Sequence, residues 1–216
     1  MIIGSHNSWT YLPPKQWWLR PFAFMARCQS ASITEQYEKY GVKCFDLRIL
    51  YDDKGNLSVA HGKFKYKISQ SELLTQLEWL NEKENCFVRV LNDARNKAAY
   101  TASSVEYFKI LCHTIEKAYP NIWFFCGRNL YNWEVDYSFS PPPNAPQSLI
   151  PALSVGNSST VAQASEPTCH EDHASVSSPK IIDDWFPWVY AKLNNHSILS
   201  KGTDKDILLI DFVNIR

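Results

Sequence analysis

Apolar positions along this chain gather into short runs separated by longer stretches of helical period. The runs Ile2–Ser5, Val42–Ile49, Leu57–Ala60, Cys86–Leu91, Ile122–Cys126 and Ile207–Val213 have strand length and read as strands. Between them the apolar residues recur every three or four positions. Thr34 can cap a short helix carrying Tyr37 and Tyr40, and Ser71 opens a stretch with Leu73, Leu74, Leu77 and Leu80 on one face. Ser103 or Ser104 opens another with Val105, Phe108, Leu111 and Ile115, which Pro120 closes. Asp183 or Asp184 precedes a third, aromatic-rich helix, with Pro187 tolerated in its first turn. Strands alternating with helices predict βα units and a largely parallel sheet, an α/β fold.

One region departs from this alternation. From Ser138 to Pro179 the chain is rich in Pro and Ser with little periodicity, and it is expected to form a long loop or insertion. Within it Cys169, His170, Glu171, Asp172 and His173 look like a metal cluster, but their spacing fits no standard zinc pattern. A solvated polar loop is the expected outcome.

Composition narrows the function classes. The 216 residues suit one large domain spanning 1–216, and 45% hydrophobic residues can fill its core. Lys and Arg number 22, as do Asp and Glu. A net charge of zero argues against nucleic acid held by the overall field, which needs a basic excess to displace counterions. No run approaches the roughly 18 apolar residues that span a bilayer. The start, MIIGSHNSW, lacks the pattern of a secretory signal, and the six cysteines contain no CxxC pair. Free thiols and a cytoplasmic location are expected, with peripheral membrane contact left open.

Polar residues cluster where strands end, the usual place for the active groups of α/β enzymes. Gly4-Ser5-His6-Asn7-Ser8 follows the first strand, and His61-Gly62 follows the third. Asp46 and Arg48 lie two apart, so they share one face of a strand. Asp211 is an acid embedded in a run that is otherwise apolar, where a carboxylate is costly without a partner. Each alone has a structural explanation: a turn histidine, a salt bridge, a cap. Together, two histidines, an arginine and two carboxylates suit acid–base chemistry on a phosphate. One His would take a proton and the other give one, while Arg48 holds phosphate oxygens.

The segments GSHNSWTY, QSASITEQYEKYGVKCFDLR, LSVAHG and ILLIDFV resemble the catalytic X-domain of phosphatidylinositol-specific phospholipase C. The likeness covers the first sixty or so residues and the last strand. It implies a distorted, abbreviated TIM-type barrel and a phosphorus–oxygen lyase reaction on phosphatidylinositol or a related inositol phospholipid. The products would be diacylglycerol and a cyclic inositol phosphate. By matching motif positions, His6 would be the general base on the inositol 2-hydroxyl and His61 the general acid for the leaving diacylglycerol oxygen. Asp211 would orient the first histidine.

Departures from the pattern bear on the metal. Calcium-dependent members of that family carry Asn after the first His, as Asn7 does here, and two acidic ligands on the second strand. Arg48 occupies the second of those positions, as in the bacterial metal-independent enzymes, which usually carry Asp where Asn7 stands. The expectation is therefore chemistry with no cofactor and no metal, closer to the bacterial type. Calcium is the alternative. Asn7 would still reach a phosphate oxygen, with lower catalytic power than the bacterial enzymes.

Other groups offer two readings each. Arg89 and Arg128 could contact substrate or form rim ion pairs, and Tyr131 and Trp133 could stack on a sugar-like ring or pack the core. The dense run Trp17-Trp18-Leu19-Arg20-Pro21-Phe22-Ala23-Phe24-Met25 could be core, or a rim that enters a lipid interface. The expected partner is thus a phosphatidylinositol-containing membrane surface, met transiently. Two other functions remain beside the phospholipase: a non-catalytic barrel binding phosphoinositide or another anion, and a glycerophosphodiesterase-like hydrolase. The retained pair His6 and His61 disfavours the first, and the single acid of Asp46-Leu47-Arg48 the second.

Overall fold

A computed structural model of the chain describes residues 1–141, 169–171, 187–201 and 207–215. Six of its strands correspond to the apolar runs: β1 (Ile2–Ser5), β2 (Cys44–Tyr51), β3 (Leu57–His61), β5 (Phe87–Asn92), β6 (Trp123–Cys126) and β8 (Ile207–Ile210). Two more, β4 (Phe64–Lys65) and β7 (Cys169–Glu171), have no such run behind them. The helices are α1 (Ile33–Glu38), α2 (Gln70–Asn81), α3 (Ala102–Ala118) and α4 (Pro187–Lys201), with a 3₁₀ helix over Trp17–Met25.

The helix starts are set two or three residues earlier than expected, at Ser32, Ser69 and Thr101. Ser32 and Ser69 each stand three positions before a glutamate, Glu35 and Glu72. Both form capping boxes that satisfy orphan N–H groups on either side of the helix start, which outweighs the nearer Thr34 and Ser71. Helix α2 then buries Leu73, Leu77 and Leu80, and α3 buries Phe108, Leu111, Cys112 and Ile115, against one face of the sheet. Phe45, Leu47, Ile49, Val88 and Val90 receive them there. At about 1.5–3 kcal/mol for each large apolar side chain buried, this face provides most of the drive to fold.

Strands β7, β8, β1, β2, β5 and β6 run parallel in that spatial order, while β3 attaches antiparallel to β2 and β4 antiparallel to β3. The sheet is not closed into a barrel: among the described residues, the outer edges of β6 and β7 do not pair with each other. One edge of β2 is shared between β1, which pairs at Cys44 and Phe45, and β3, which pairs from Ile49 to Tyr51. The β3–β4 pair therefore lies beside the parallel series instead of extending it.

Three residues of the Pro/Ser-rich segment lie in the sheet. Cys169, His170 and Glu171 form β7, paired in register with Ile207, Leu208 and Leu209. Asp172 and His173 lie outside the described residues, as do 142–168 and 172–186. The expected strand Ile207–Val213 ends at Ile210, because the chain turns at Phe212 with φ +46° and its N–H donates to the Cys28 carbonyl at 2.6 Å.

The sheet face away from α2 and α3 has two zones. Cys44, Phe87, Trp123, Phe125, Ile207 and Leu209 form an apolar floor near the strand starts. Beyond it, toward the strand ends, the same face becomes polar.

Candidate active site

Strand register assembles the polar zone. β1 and β8 pair up to Ser5 with Ile210, so the next residues along, His6 and Asp211, meet. β1 and β2 pair up to Ser5 with Phe45, which sets Asp46 beside His6 on the other side. β2 and β5 pair Asp46 with Arg89. Asp211, His6, Asp46 and Arg89 thus form one row across four strands, with Arg48 two positions further along β2.

His6 has no exposed surface, and its Nδ1 lies 2.8 Å from Asp211 Oδ1. Its Nε2 faces Arg48 Nη2 at 2.6 Å and Asn7 Nδ2 at 3.1 Å. A guanidinium can only donate. The Nε2 lone pair is therefore the acceptor, and the ring proton sits on Nδ1 toward Asp211. Arg48 Nε donates to Asp46 Oδ2 at 2.9 Å, and the same oxygen accepts the Asn7 N–H at 3.1 Å. Arg89 Nη1 stands 3.8 Å from Asp46 Oδ1. Asn7 takes a left-handed φ of +46°, which Asn tolerates better than most residues and which turns its backbone N–H back to the strand.

His61 is half-buried at the end of β3, its ring centroid 6.3 Å from that of His6. Its Nδ1 lies 3.0 Å from the Ala26 carbonyl, which can only accept, so the proton is again on Nδ1. In both histidines a fixed oxygen lies against Nδ1, so that Nε2 carries the lone pair. Tyr66 donates to the same Ala26 carbonyl at 2.9 Å.

Several contributors gave no signal in the sequence. Gln29, fully buried, donates from Nε2 to the carbonyls of His6 and Ile210 and accepts the Val213 N–H, tying the ends of β1 and β8 together. Asn195 of α4 donates to the Asp211 carbonyl at 2.7 Å. Cys28 Sγ lies 3.7 Å from Asn7 Nδ2 and 3.9 Å from His61 Nδ1; burial, then the charge of Asp211, pushes its thiol pKa well up, so it remains protonated. Asp93 could have been found, since it follows the apolar run of β5 as His61 follows β3. Its Oδ2 accepts the Gly62 N–H at 2.9 Å and its Oδ1 faces Arg95 at 3.4 Å. Burial raises its pKa despite the opposing charges of Arg95 and Arg48.

The expected residues His6, Asn7, Asp46, Arg48, Arg89 and Asp211 come together, with His61 beside them. Arg89 belongs there as a nearly buried partner of Asp46. Arg128 is exposed past the end of β6 and outside this cluster. Tyr131 and Trp133 are exposed and not packed in the core, with Tyr131 against Tyr100 at 5.7 Å. The strand β6 ends before them, and their loop is held instead by Asn129 and Asp136. The stretch Trp17–Met25 is not core either: none of its residues is buried.

A calcium ion does not fit this donor set. Asp46 is held between two guanidinium groups, and Arg48 already fills the space between Asp46 and His6. Donor atoms of His6, Cys28 and Asp211 lie within 4.8 Å of one another, but thiol is a soft and imidazole a borderline ligand, neither suited to calcium, and Arg48 opposes a cation there.

No family model and no curated protein sequence matches the chain, and the likeness is one of structure. The fold resembles phosphatidylinositol-specific phospholipase C of Listeria monocytogenes at TM-score 0.57 and 17% identity, over 98% of this chain and 87% of that one. A histidine-to-tyrosine variant of the Staphylococcus aureus enzyme aligns at TM-score 0.60 and 15% identity, over 98% and 84%. Another S. aureus structure, described by the modulation of that enzyme's membrane binding, aligns at 0.55 and 16%, over 98% and 85%. The chain is thus a mixed α/β protein with the fold of the bacterial phospholipases C of this type. Among the described residues no helix is long and apolar enough to cross a membrane.

Proposed function

We propose that the chain is a metal-independent phosphodiesterase of the phosphorus–oxygen lyase type, acting on phosphatidylinositol or a related inositol phospholipid. The observation that carries this reading is the proton arrangement at His6, with Nδ1–H on Asp211 and the Nε2 lone pair beside a buried arginine. On substrate binding Arg48 and Asn7 turn from Nε2 to the phosphate oxygens. The inositol 2-hydroxyl then gives its proton to Nε2 and attacks phosphorus in line. The bond from phosphorus to the diacylglycerol oxygen breaks, and His61, protonated, gives that oxygen a proton from Nε2. Arg48 offsets the charge that develops on the phosphoryl oxygens, and Asp211 stabilises the imidazolium of His6. Arg89, by holding Asp46, keeps Arg48 aimed. Because the substrate lies in a bilayer, the exposed aromatics of Trp17–Met25, which lead into Ala26 beside His61, are the rim that meets it. The S. aureus enzyme named above, with its membrane binding, supports that reading by analogy.

The test is phosphorus NMR of the protein with phosphatidylinositol vesicles in excess EDTA. A cyclic phosphodiester resonance is expected, lost in His6→Ala and in His61→Ala. Product only after calcium is added would overturn the metal-free mechanism. Absence of product in both conditions, with retained binding to inositol lipid, would favour a binding module.

A further inference from the structure

The register of the parallel strands places His6, Asp46, Arg89 and Asp211. It does not place His61. Strand β3 pairs with β2 up to Val59 and with β4 at Ala60 and His61, where Phe64 lies opposite across the turn Gly62-Lys63. His61 thus stands at the tip of a two-stranded hairpin that has left the parallel sheet, and such a hairpin is marginally stable without further support.

Asp93 ties this tip to the sheet. The pairing of β2 with β5 runs as far as Ile49 with Asn92, and the next N–H, that of Asp93, donates to the Ile49 carbonyl at 2.9 Å. The Asp93 side chain has no exposed surface and reaches the hairpin, where its Oδ2 accepts the Gly62 N–H at 2.9 Å. That N–H and the His61 carbonyl belong to one rigid peptide plane. The bond therefore fixes the plane attached to the His61 Cα, while the Ala26 carbonyl fixes the ring through Nδ1. Gly62 has a left-handed φ of +62°, and the Arg95 guanidinium lies over it, with Cζ and Nη1 3.4 Å from where a Cβ would stand. Arg95 Nε and Nη2 each lie 3.4 Å from Asp93 Oδ1, so one carboxylate holds both the Gly62 N–H and the group that covers Gly62. Burial raises the Asp93 pKa, so the ionised carboxylate costs stability here, and what it provides is placement.

We propose that Asp93 is a positioning residue for the candidate general acid: by tying the Gly62 N–H to the end of β5, it aims His61 Nε2 at the leaving oxygen. On the phosphodiesterase reading, on which this rests, Asp93 then serves one half of the reaction. Proton donation matters for a poor leaving group such as the alkoxide of diacylglycerol, and little for a nitrophenolate, which departs unprotonated. The attack by the inositol hydroxyl, served by His6, is common to both.

Turnover of phosphatidylinositol and of a nitrophenyl ester of inositol phosphate, measured on the same preparations, tests this. Asp93→Ala removes the acceptor, and a misplaced catalytic group should lower kcat with phosphatidylinositol about 10²-fold, with KM little changed. With the nitrophenyl ester the loss should be about threefold or less. Asp93→Asn retains an oxygen for the Gly62 N–H and should recover most of the activity. If Asp93→Ala does not fold, Asp93→Glu, whose longer side chain shifts the tie, should show the same selective loss. In the unaltered protein the Gly62 amide should be protected from hydrogen exchange, and exchange at the rate of an open turn overturns the proposal. Equal losses on the two esters, or none on either, overturn it as well, since a residue needed only for the fold affects both alike. Turnover of neither ester by the unaltered protein overturns the enzymatic reading and this proposal with it, a result distinct from any change confined to the variants.

Discussion

His6 and Asp211 are 205 positions apart in the chain and 2.8 Å apart across the ends of β1 and β8. Every parallel pair between those strands is in register, and the contact is the next step of that register. The carboxylate fixes which nitrogen of His6 carries the proton.

Asp211→Asn should therefore retain the fold and lose activity. An amide can present its NH₂ group to Nδ1 and favour the wrong tautomer. A fall in turnover of phosphatidylinositol on the order of 10²–10⁴-fold is expected, by comparison with carboxylate-to-amide changes in related triads. Proton NMR of the unaltered protein should contain a hydrogen-bonded imidazole N–H resonance that the variant lacks. Full activity in the variant would remove Asp211 from the mechanism.

Arg48 links Asp46 to His6 through two different nitrogens, a geometry that an ammonium group cannot reproduce. Arg48→Lys should reduce turnover about 10²-fold or more, with calcium giving no recovery. Recovery by calcium in this variant would mean that Asp46 and Asn7 suffice to hold a cation.

Gly4 lies in the apolar floor two residues before His6. A Cβ there would overlap Leu209 Cδ2 and come 3.1 Å from Cys44 Cβ and 3.2 Å from the Cys44 carbonyl oxygen. Leu209 can move, but the β2 backbone cannot move cheaply. Gly4→Ala should cost about 1–3 kcal/mol in denaturant unfolding and lower turnover as well, since β1 carries His6. An unchanged midpoint would mean that the floor has slack.

Asp93 makes stability depend on pH. Its folded-state pKa lies above that of an unfolded aspartate, so the folded protein binds the proton more tightly. Stability from this group is full below the ordinary carboxylate value of about 3.9 and is lost as pH rises through the folded value. Asp93→Asn, which keeps an acceptor for the Gly62 N–H, removes that loss. The melting temperature of the variant relative to the unaltered protein should climb with pH across this window and be flat below it. A difference that shrinks with rising pH would contradict the sign.

Much of this site could be read from the chain because its signals are local. Asp46 and Arg48 share a face through the two-residue period of a strand, and His6 and His61 end apolar runs that could only be strands. Asp211 stood out as an acid beside residues that water excludes. The resemblance of GSHNSW, FDLR and AHG to one enzyme family linked these pieces. What the sequence determined by itself was thus the strands, the alternation with helices, and which polar side chains needed partners. The tertiary structure alone decided who those partners are, because register and hydrogen bonding between distant segments have no periodic trace. Gln29 bonded to His6 and Ile210, the Ala26 carbonyl on His61, and Arg89 across from Asp46 are of this kind. So is the place of β3 and β4 beside the parallel strands, since the sharing of the β2 edge by β1 and β3 depends on strand lengths and pairing.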